Sequence, residues 1–159
     1  MATEVSPRVF EGGVSAEHKK FAVVVSTFNQ SVTQKLLDGA LQCFRKNGAS
    51  DVEVFRCPGA YELPQVASFI TKHKQYDAVV CLGAVIRGET PHFDYICQEC
   101  ARGIGEVSRE RGIPVLFGVL TTDTFEQAME RAGGSVGNKG FYTALGAIEM
   151  SNLFSNIVS

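Results

Sequence analysis

The sequence predicts a three-layer α/β/α domain built around a sheet of four parallel strands. Short runs rich in valine and isoleucine alternate with longer segments whose apolar residues recur at helical spacing. Strands that alternate with helices imply right-handed crossovers and parallel pairing. The run at residues 79–82 is apolar without alternation, which is typical of a strand covered by helices on both faces of the sheet. In outline the predicted domain is flavodoxin-like.

The elements follow one another regularly after residue 20. The predicted strands are residues 21–26, 52–57, 77–83 and 115–121. The predicted helices are residues 31–47, 61–73, 93–111, 124–132 and 139–156. For the first helix, Ser31 and Gln34 have the spacing of a capping box, and Asn47-Gly48 is a typical stop signal. A glycine-rich connection, residues 133–140, separates the last two helices.

Length and composition fit one globular domain. The chain has 159 residues, of which 45% are hydrophobic and 20% charged; this is enough to bury a core and excludes a disordered chain. We expect residues 1–20, which are polar and contain glycine, to form an arm ahead of a single domain at 21–159. The net charge is −2 with both signs interspersed, so nothing indicates nucleic-acid binding.

The sequence favours a cytoplasmic protein with reduced thiols. The first residues contain no apolar core of a secretory signal, and no apolar run approaches the ~20 residues of a membrane span. The five cysteines are an odd number, which argues against a disulfide framework. Cys97 and Cys100 form one C-x-x-C pair, but zinc needs four ligands and the pair lies in a helical pattern. We therefore expect structural thiols and no metal site.

Ligands of an open parallel sheet bind beyond the carboxyl ends of its strands. That rule selects four segments, which we expect to face the same edge of the sheet: residues 26–29, 58–62, 84–92 and 117–123. The third segment is the richest in chemistry. Gly88 allows close approach of a ligand, Thr90 offers a hydroxyl, and the amides before the helix can bind an anion. His92 is suited to moving protons near neutral pH, although a hydrogen-bonded loop histidine explains the position equally well.

Other candidate residues also have ordinary structural explanations. Glu62 has the position of a helix cap, and Phe28 and Phe117 could be core aromatics. Arg131 and Lys139 could be solvated cations at helix ends. Two nucleotide-binding loops are excluded, because no G-x-G-x-x-G follows the first strand and the lysine of residues 137–140 lacks the context of a P-loop.

Residues 83–95, which read GAVIRGETPHFDY, resemble the central motif of the 6,7-dimethyl-8-ribityllumazine synthase family. Four further segments agree in order and spacing, so that the resemblance runs from about residue 21 to residue 154. They are residues 28–29 (FN), 58–64 (PGAYELP), 117–133 (FGVLTTDTFEQAMERAG) and 137–140 (GNKG). The resemblance implies condensation of 5-amino-6-(D-ribitylamino)uracil with 3,4-dihydroxy-2-butanone 4-phosphate. The products are the lumazine, phosphate and water, and no metal or organic cofactor is required.

The resemblance also implies roles for individual residues. Phe28 would stack on the pyrimidine, and His92 would transfer protons. The ribityl chain and the ring would be held by Ala60, Tyr61 and Glu62 and by the backbone of Ala84, Val85 and Ile86. The phosphate would lie against Gly88, Glu89 and Thr90 and be clamped by Arg131, where a guanidinium offers bidentate geometry. In the family, Phe117, Arg131 and Lys139 reach the site from a neighbouring subunit.

The resemblance extends to assembly, where family members form pentamers or shells of twelve pentamers. Residues 133–140 lack the insertion of many relatives that form pentamers only, which favours the shell. Two positions depart from the family pattern. Glu89 replaces a common alanine, and we expect its carboxylate to point away from the phosphate. Tyr142 stands where some relatives carry glutamate, so any acidic role there is absent or supplied elsewhere.

Three other functions remain open from the sequence. The first is an archaeal-type riboflavin synthase, which acts on the lumazine itself; the intact AVIRGE and TPHFDY segments argue against it. The second is a catalytically silent shell or binding protein, which the presence of His92 and Arg131 disfavours. The third is a flavodoxin-like flavin carrier, which would be yellow on purification.

Overall fold

The computed structural model describes all 159 residues. The strands are β1 (Lys20–Ser26), β2 (Asp51–Cys57), β3 (Ala78–Ile86), β4 (Val115–Thr122), β5 (Ala132–Gly134) and β6 (Gly137–Asn138). The helices are α1 (Gln30–Lys46), α2 (Leu63–His73), α3 (His92–Arg111), α4 (Phe125–Arg131) and α5 (Lys139–Val158). A single 3₁₀ turn, Ala60–Glu62, precedes α2. Residues 1–19 contain no helix or strand.

The first four strands form one parallel sheet in the order β2-β1-β3-β4. This sheet separates two hydrophobic clusters, one beneath α1 and α5 and the other beneath α2 and α3. The three-layer α/β/α fold with four parallel strands is therefore confirmed. None of the helices combines the length and the hydrophobicity that crossing a bilayer would require.

Central strand β1 explains why the sheet strands are apolar without alternation. Val23 and Val25 pack in the α1/α5 cluster, whereas Ala22 and Val24 pack in the α2/α3 cluster. All four are fully buried, because successive side chains of a strand point to opposite faces and both faces are covered.

The predicted start of α1 is wrong. The helix begins at Gln30, and Asn29 in a left-handed conformation is its N-cap without a side-chain capping bond. Instead of closing a capping box with Ser31, the Gln34 amide bonds with Asp38 and Arg56. The predicted stop is confirmed, since α1 ends at Lys46 and Gly48 has a φ of +92°. A complete capping box occurs at α4, between Thr124 and Gln127.

Most other boundaries differ from those predicted by one or two residues, and three differences bear on the site. Helix α2 begins at Leu63 because the 3₁₀ turn occupies the preceding residues. Strand β3 continues to Ile86, where it remains paired with Thr122 of β4. In the glycine-rich connection, β5 and β6 form a small antiparallel hairpin that also takes Ala132 out of the predicted helix. Two short glycine-rich strands leave no hydrophobic periodicity to detect.

Close contact between α1 and α5 fixes the carboxyl end of that hairpin. A side chain at Gly140 would meet the carbonyl oxygen of Leu36 at 1.9 Å, so only glycine allows the two helices to approach this closely. The amide of Asn138 donates to the carbonyl of Lys35 at 3.0 Å while its oxygen accepts from the Phe141 N–H. The first residue of α5, Lys139, therefore has a defined position.

Side chains of α5 hold part of the arm against the domain. Asn152 donates to the carbonyls of Gly13 and Ser15, and Asn156 donates to the carbonyl of Glu11. A side chain at Gly12 would meet the Glu149 carbonyl oxygen at 1.8 Å, which shows how closely this segment follows the helix.

Candidate active site

A cleft of about 760 Å³ opens where β1, β2 and β3 end. Its lining consists of Phe28, Pro58, Gly59, Ala60, Tyr61, Glu62, Ala84, Val85, Ile86, Gly88, Thr90, His92, Phe93 and Ile96. Three of the four segments that the strand-end rule selected thus meet in one cavity. Because the lining is largely apolar with a few polar groups, the cleft suits a flat organic ligand.

The first wall carries Phe28, which the loop after β1 holds against the loop after β2. The Thr27 N–H donates to the Cys57 carbonyl at 2.8 Å, and the Phe28 N–H donates to the Pro58 carbonyl at 3.0 Å. The Phe28 side chain is 71% exposed, so it is not a core aromatic. A fixed backbone with an exposed ring provides a face on which a heterocycle can stack.

The second wall is the turn before α2. Ala60 is buried, and the Glu62 N–H closes the turn on the Gly59 carbonyl at 3.2 Å. Glu62 is the N-cap residue of α2, but its side chain makes no capping bond. Its half-buried carboxylate is therefore available at the cleft. Beneath this wall, burial and then the charge of Glu62 raise the pKa of the Cys57 thiol to about 11.

The third wall runs from the end of β3 into the first turn of α3. Ala84 is buried, Val85 and Ile86 are half-buried, and Gly88 and Thr90 are exposed. His92, the first residue of α3, is also exposed and lines the cleft. Since α3 is a 20-residue helix, its unpaired amides and positive dipole end face the segment that carries Gly88 and Thr90.

Arg87 anchors this third wall, and sequence reasoning missed it. Its Nε donates to Asp123 at 2.8 Å, its Nη1 lies 3.6 Å from Asp94, and its guanidinium lies 4.3 Å above the Phe93 ring. The Arg87 N–H donates to the Thr122 carbonyl at 2.9 Å. The bond to Asp123, with the charges of both carboxylates, raises the pKa of Arg87 further. These contacts fix the loop between β3 and α3 from outside the cleft.

The remaining predicted site residues lie elsewhere. Arg131 and Lys139 line a separate groove of about 340 Å³ along β4, with Thr121, Thr122, Val136 and Tyr142 among its other residues. The Arg131 guanidinium donates to the Gln127 carbonyl at 3.1 Å and lies 3.7 Å from Glu130. Phe117, on edge strand β4, is 38% exposed, and neither it nor Glu89 lines the cleft or the groove.

The cleft and the groove differ in the charged side chains that line them. The ionisable side chains that line the cleft are Tyr61, Glu62 and His92, and no lysine or arginine is among its lining residues. The cleft of one chain can therefore hold a ring and move a proton, but for an anion it has backbone amides, the Thr90 hydroxyl and a helix end rather than a lysine or arginine. The groove differs in carrying two such cations, Arg131 and Lys139.

The thiols have the properties of packing residues. Cys43, Cys57, Cys81 and Cys100 are buried and Cys97 is half-buried, all without disulfides. Burial raises the pKa of Cys100 to about 12 and also raises that of Cys97. Because the thiolate is the reactive form, these shifts disfavour reaction at both thiols of the C-x-x-C pair.

Comparison with known proteins identifies one family. The family model of 6,7-dimethyl-8-ribityllumazine synthase matches residues 18–155. Proteins named 6,7-dimethyl-8-ribityllumazine synthase are similar over nearly the whole chain. The one from Desulfatibacillum aliphaticivorans is 55% identical over 92% of this chain and 96% of its own length. The one from Desulfotalea psychrophila is 54% identical over the same shares, and that from Chlorobium phaeovibrioides is 55% identical over 91% and 94%.

Proposed function

The chain belongs to the 6,7-dimethyl-8-ribityllumazine synthase family, and we propose that the cleft at the ends of β1, β2 and β3 is where it carries out the family's reaction. The protein is a transferase of riboflavin biosynthesis, which condenses 5-amino-6-(D-ribitylamino)uracil with 3,4-dihydroxy-2-butanone 4-phosphate. The observation that supports this location is that Phe28, Glu62 and His92 line the same largely apolar cleft.

The pyrimidine would bind in this cleft. The exposed ring of Phe28 gives it a stacking face, and Glu62 offers a carboxylate to the hydroxyls of the ribityl chain. Ala84, Val85 and Ile86 also line the cleft, and their backbone groups would bond to the polar edge of the heterocycle. Ala60 and Tyr61 complete the contact with the ring and the chain.

His92 has the position and chemistry of the proton-transfer residue. The amine of the pyrimidine attacks the ketone of the butanone, and loss of one water gives an imine. Proton removal next to the imine then expels phosphate, and closure of the second ring releases another water. Each step moves a proton at a carbon or nitrogen above the cleft, and imidazole is suited to both accepting and returning it.

Phosphate departure requires positive charge, and no lysine or arginine lines the cleft of one chain. We propose that Gly88, Glu89 and Thr90 bind the phosphate, the first two through backbone amides, at the positive end of α3. The Glu89 side chain does not line the cleft, which fits a carboxylate directed away. Arg131 and Lys139, with Phe117, would be contributed to this site by an adjacent subunit.

The assembly we propose is therefore a homopentamer. We further propose a shell of twelve pentamers, because the hairpin between α4 and α5 is short and lacks the insertion of many relatives that form pentamers only. The five free thiols fit a cytoplasmic location, where disulfides are rare. Light scattering of the purified protein tests the assembly. A mass of sixty subunits supports the shell, and a mass of five subunits refutes it while leaving the shared site intact.

One direct assay tests the activity. Purified protein is mixed with the ribitylaminouracil and the butanone phosphate, and lumazine fluorescence and phosphate release are followed together. Both signals should rise above the spontaneous rate. If neither rises while the pyrimidine still binds, the silent shell protein or the riboflavin synthase becomes the better assignment, and lumazine is the next substrate to test.

A further inference from the structure

Strand β3 extends beyond its neighbour β1 at the cleft. Pairing between the two strands ends at Val25 and Leu82, whereas β3 stays paired with β4 as far as Ile86. In a parallel sheet, alternate residues direct their N–H and C=O groups to opposite neighbours. Since β1 ends at Ser26, the groups of residues 84–86 that are directed away from β4 have no strand beside them. This overhang forms the floor of the cleft at Ala84, Val85 and Ile86.

The side chain of Asn29 takes the place of the missing strand. Its Nδ2 donates to the Ala84 carbonyl at 2.9 Å, although the side chain of an N-cap asparagine ordinarily accepts from the helix it begins. Here that capping bond is absent, and the Asn29 carbonyl instead accepts from the N–H groups of Val32 and Thr33. One residue thus starts α1 through its backbone and extends the β3 hydrogen bonds through its side chain.

The backbone conformation of Asn29 makes this contact possible. Its φ of 61° and ψ of 47° are left-handed, a region that asparagine tolerates better than other residues with a side chain. The preceding residue is Phe28, whose N–H is fixed on the Pro58 carbonyl. The turn at Asn29 therefore sets the direction of the exposed Phe28 ring and the plane of the Ala84–Val85 peptide at once.

We propose that Asn29 is a positioning residue for the pyrimidine, acting through Phe28 above the ring and through Ala84 at its edge. Asn29 does not itself line the cleft, so it acts by holding the two groups that do. The proposal rests on the proposed function, because it assumes that this cleft binds the pyrimidine. It predicts that a change at Asn29 weakens binding of the pyrimidine but not of the butanone phosphate. The loop between β3 and α3, which carries the proposed phosphate-binding residues, is held separately by the contacts of Arg87.

Two variants separate the side-chain bond to Ala84 from the left-handed backbone turn at Asn29. Asn29→Gly keeps the left-handed turn and removes the amide. Asn29→Asp keeps the shape but places a carboxylate oxygen against the Ala84 carbonyl, where no donor remains. The matched control is His18→Gly, because His18 is the only other residue besides glycine with a positive φ, 63°, and it lies outside the cleft and the groove.

The measurements are pyrimidine binding by calorimetry without the second substrate, kcat and KM for each substrate, and thermal unfolding. We expect Asn29→Gly and Asn29→Asp to weaken pyrimidine binding about five- to tenfold, the usual effect of one hydrogen bond. The KM of the butanone phosphate should stay within about twofold, and His18→Gly should match the wild type in every binding measurement.

Two results would overturn the inference: pyrimidine binding in Asn29→Gly as tight as in the wild type, or equal weakening of both substrates. Should Asn29→Gly fail to fold, Asn29→Asp decides by the same criteria. Failure of the proposed function looks different. In that case the wild type would bind the pyrimidine without forming lumazine, and the comparison of the Asn29 variants would still stand.

Discussion

The cleft and the β4 groove lie on one domain but differ in what they offer a ligand. The cleft is the larger, at about 760 Å³ against 340 Å³, and combines aromatic and backbone surfaces with one carboxylate and one imidazole. The groove is smaller and carries Arg131 and Lys139. The aromatic surface of the cleft and the two cations of the groove are thus separate on one chain. In the shared site that we propose, the groove of one subunit would face the cleft of another.

The largest expected effect comes from the cleft. His92→Ala should lower kcat by about 100-fold or more, in the range that general acid–base groups contribute, while leaving pyrimidine affinity within about twofold. Steady-state kinetics and calorimetry measure the two quantities. His73→Ala is the control, because His73 lies at the far end of α2 against Phe69. An unchanged kcat in His92→Ala would remove its catalytic role.

A change in the groove should affect binding of the butanone phosphate. Arg131→Ala should raise the KM of the butanone phosphate about ten- to 100-fold, the usual cost of one charge-assisted hydrogen bond, without changing pyrimidine affinity. Arg109→Ala, an exposed arginine of α3 without an ion pair, is the control. Equal losses for both substrates would indicate misfolding or a wrong assignment of Arg131.

Mixing the two variants tests whether cleft and groove meet across subunits. His92→Ala retains an intact groove and Arg131→Ala retains an intact cleft. Co-expressed with distinguishable tags, they should form mixed oligomers in which about a quarter of the sites combine the two intact halves. Activity should recover towards that fraction of the wild type. If mixed oligomers form but stay as inactive as the parents, each site is built within one chain.

Arg87 should have a smaller effect, since its ion pairs are exposed. Arg87→Met keeps the apolar stem over Phe93 but removes the bonds to Asp94 and Asp123, and we expect kcat/KM to fall about three- to tenfold. High salt should reduce the difference from the wild type. Arg102→Met is a close control. Arg102 also pairs with two carboxylates, Glu99 and Glu106, and all three residues lie on α3. Equal losses in both variants would contradict a specific role for the loop.

The smallest effect is expected at Glu53 on edge strand β2, and it concerns stability alone. Hydrogen bonds from Lys74, Tyr76 and Lys20 lower the pKa of Glu53 to about 2. A folded-state pKa below the unfolded one stabilises the protein at neutral pH, and this contribution is lost as pH falls from about 5 towards 2.

Glu53→Gln should therefore lower the Tm at pH 7, and the difference from the wild type should shrink at pH 3. Thermal unfolding at both pH values measures it, with Glu110→Gln on the surface of α3 as the control. Turnover should not change, because Glu53 lies outside the cleft and the groove. A Tm difference that is the same at both pH values would contradict the assigned cause.

Much of the fold and of the cleft follows from local patterns in the sequence. The four strands of the sheet were predicted from short apolar runs, and the five helices from hydrophobic residues at helical spacing. The strand-end rule collected Phe28, Glu62 and His92 before any geometry was known, and they do meet. The capping box at Ser31 failed because Asn29 had already begun the helix through its backbone. The selected segments include Asn29 and Arg87, but no pattern predicted their contacts, because their partners are 55 and 36 residues away.

The sequence by itself determined the order of the elements, the parallel sheet and the edge at which its loops meet, because periodicity and turn residues act over a few positions. Only the tertiary structure decided that β3 extends past β1, that Asn29 and Arg87 hold the cleft walls, and that Arg131 and Lys139 lie in a separate groove. These features depend on where strands end and which side chains then approach one another. Contacts between residues distant in sequence leave no local signature, so they become visible only when the packed chain brings them together.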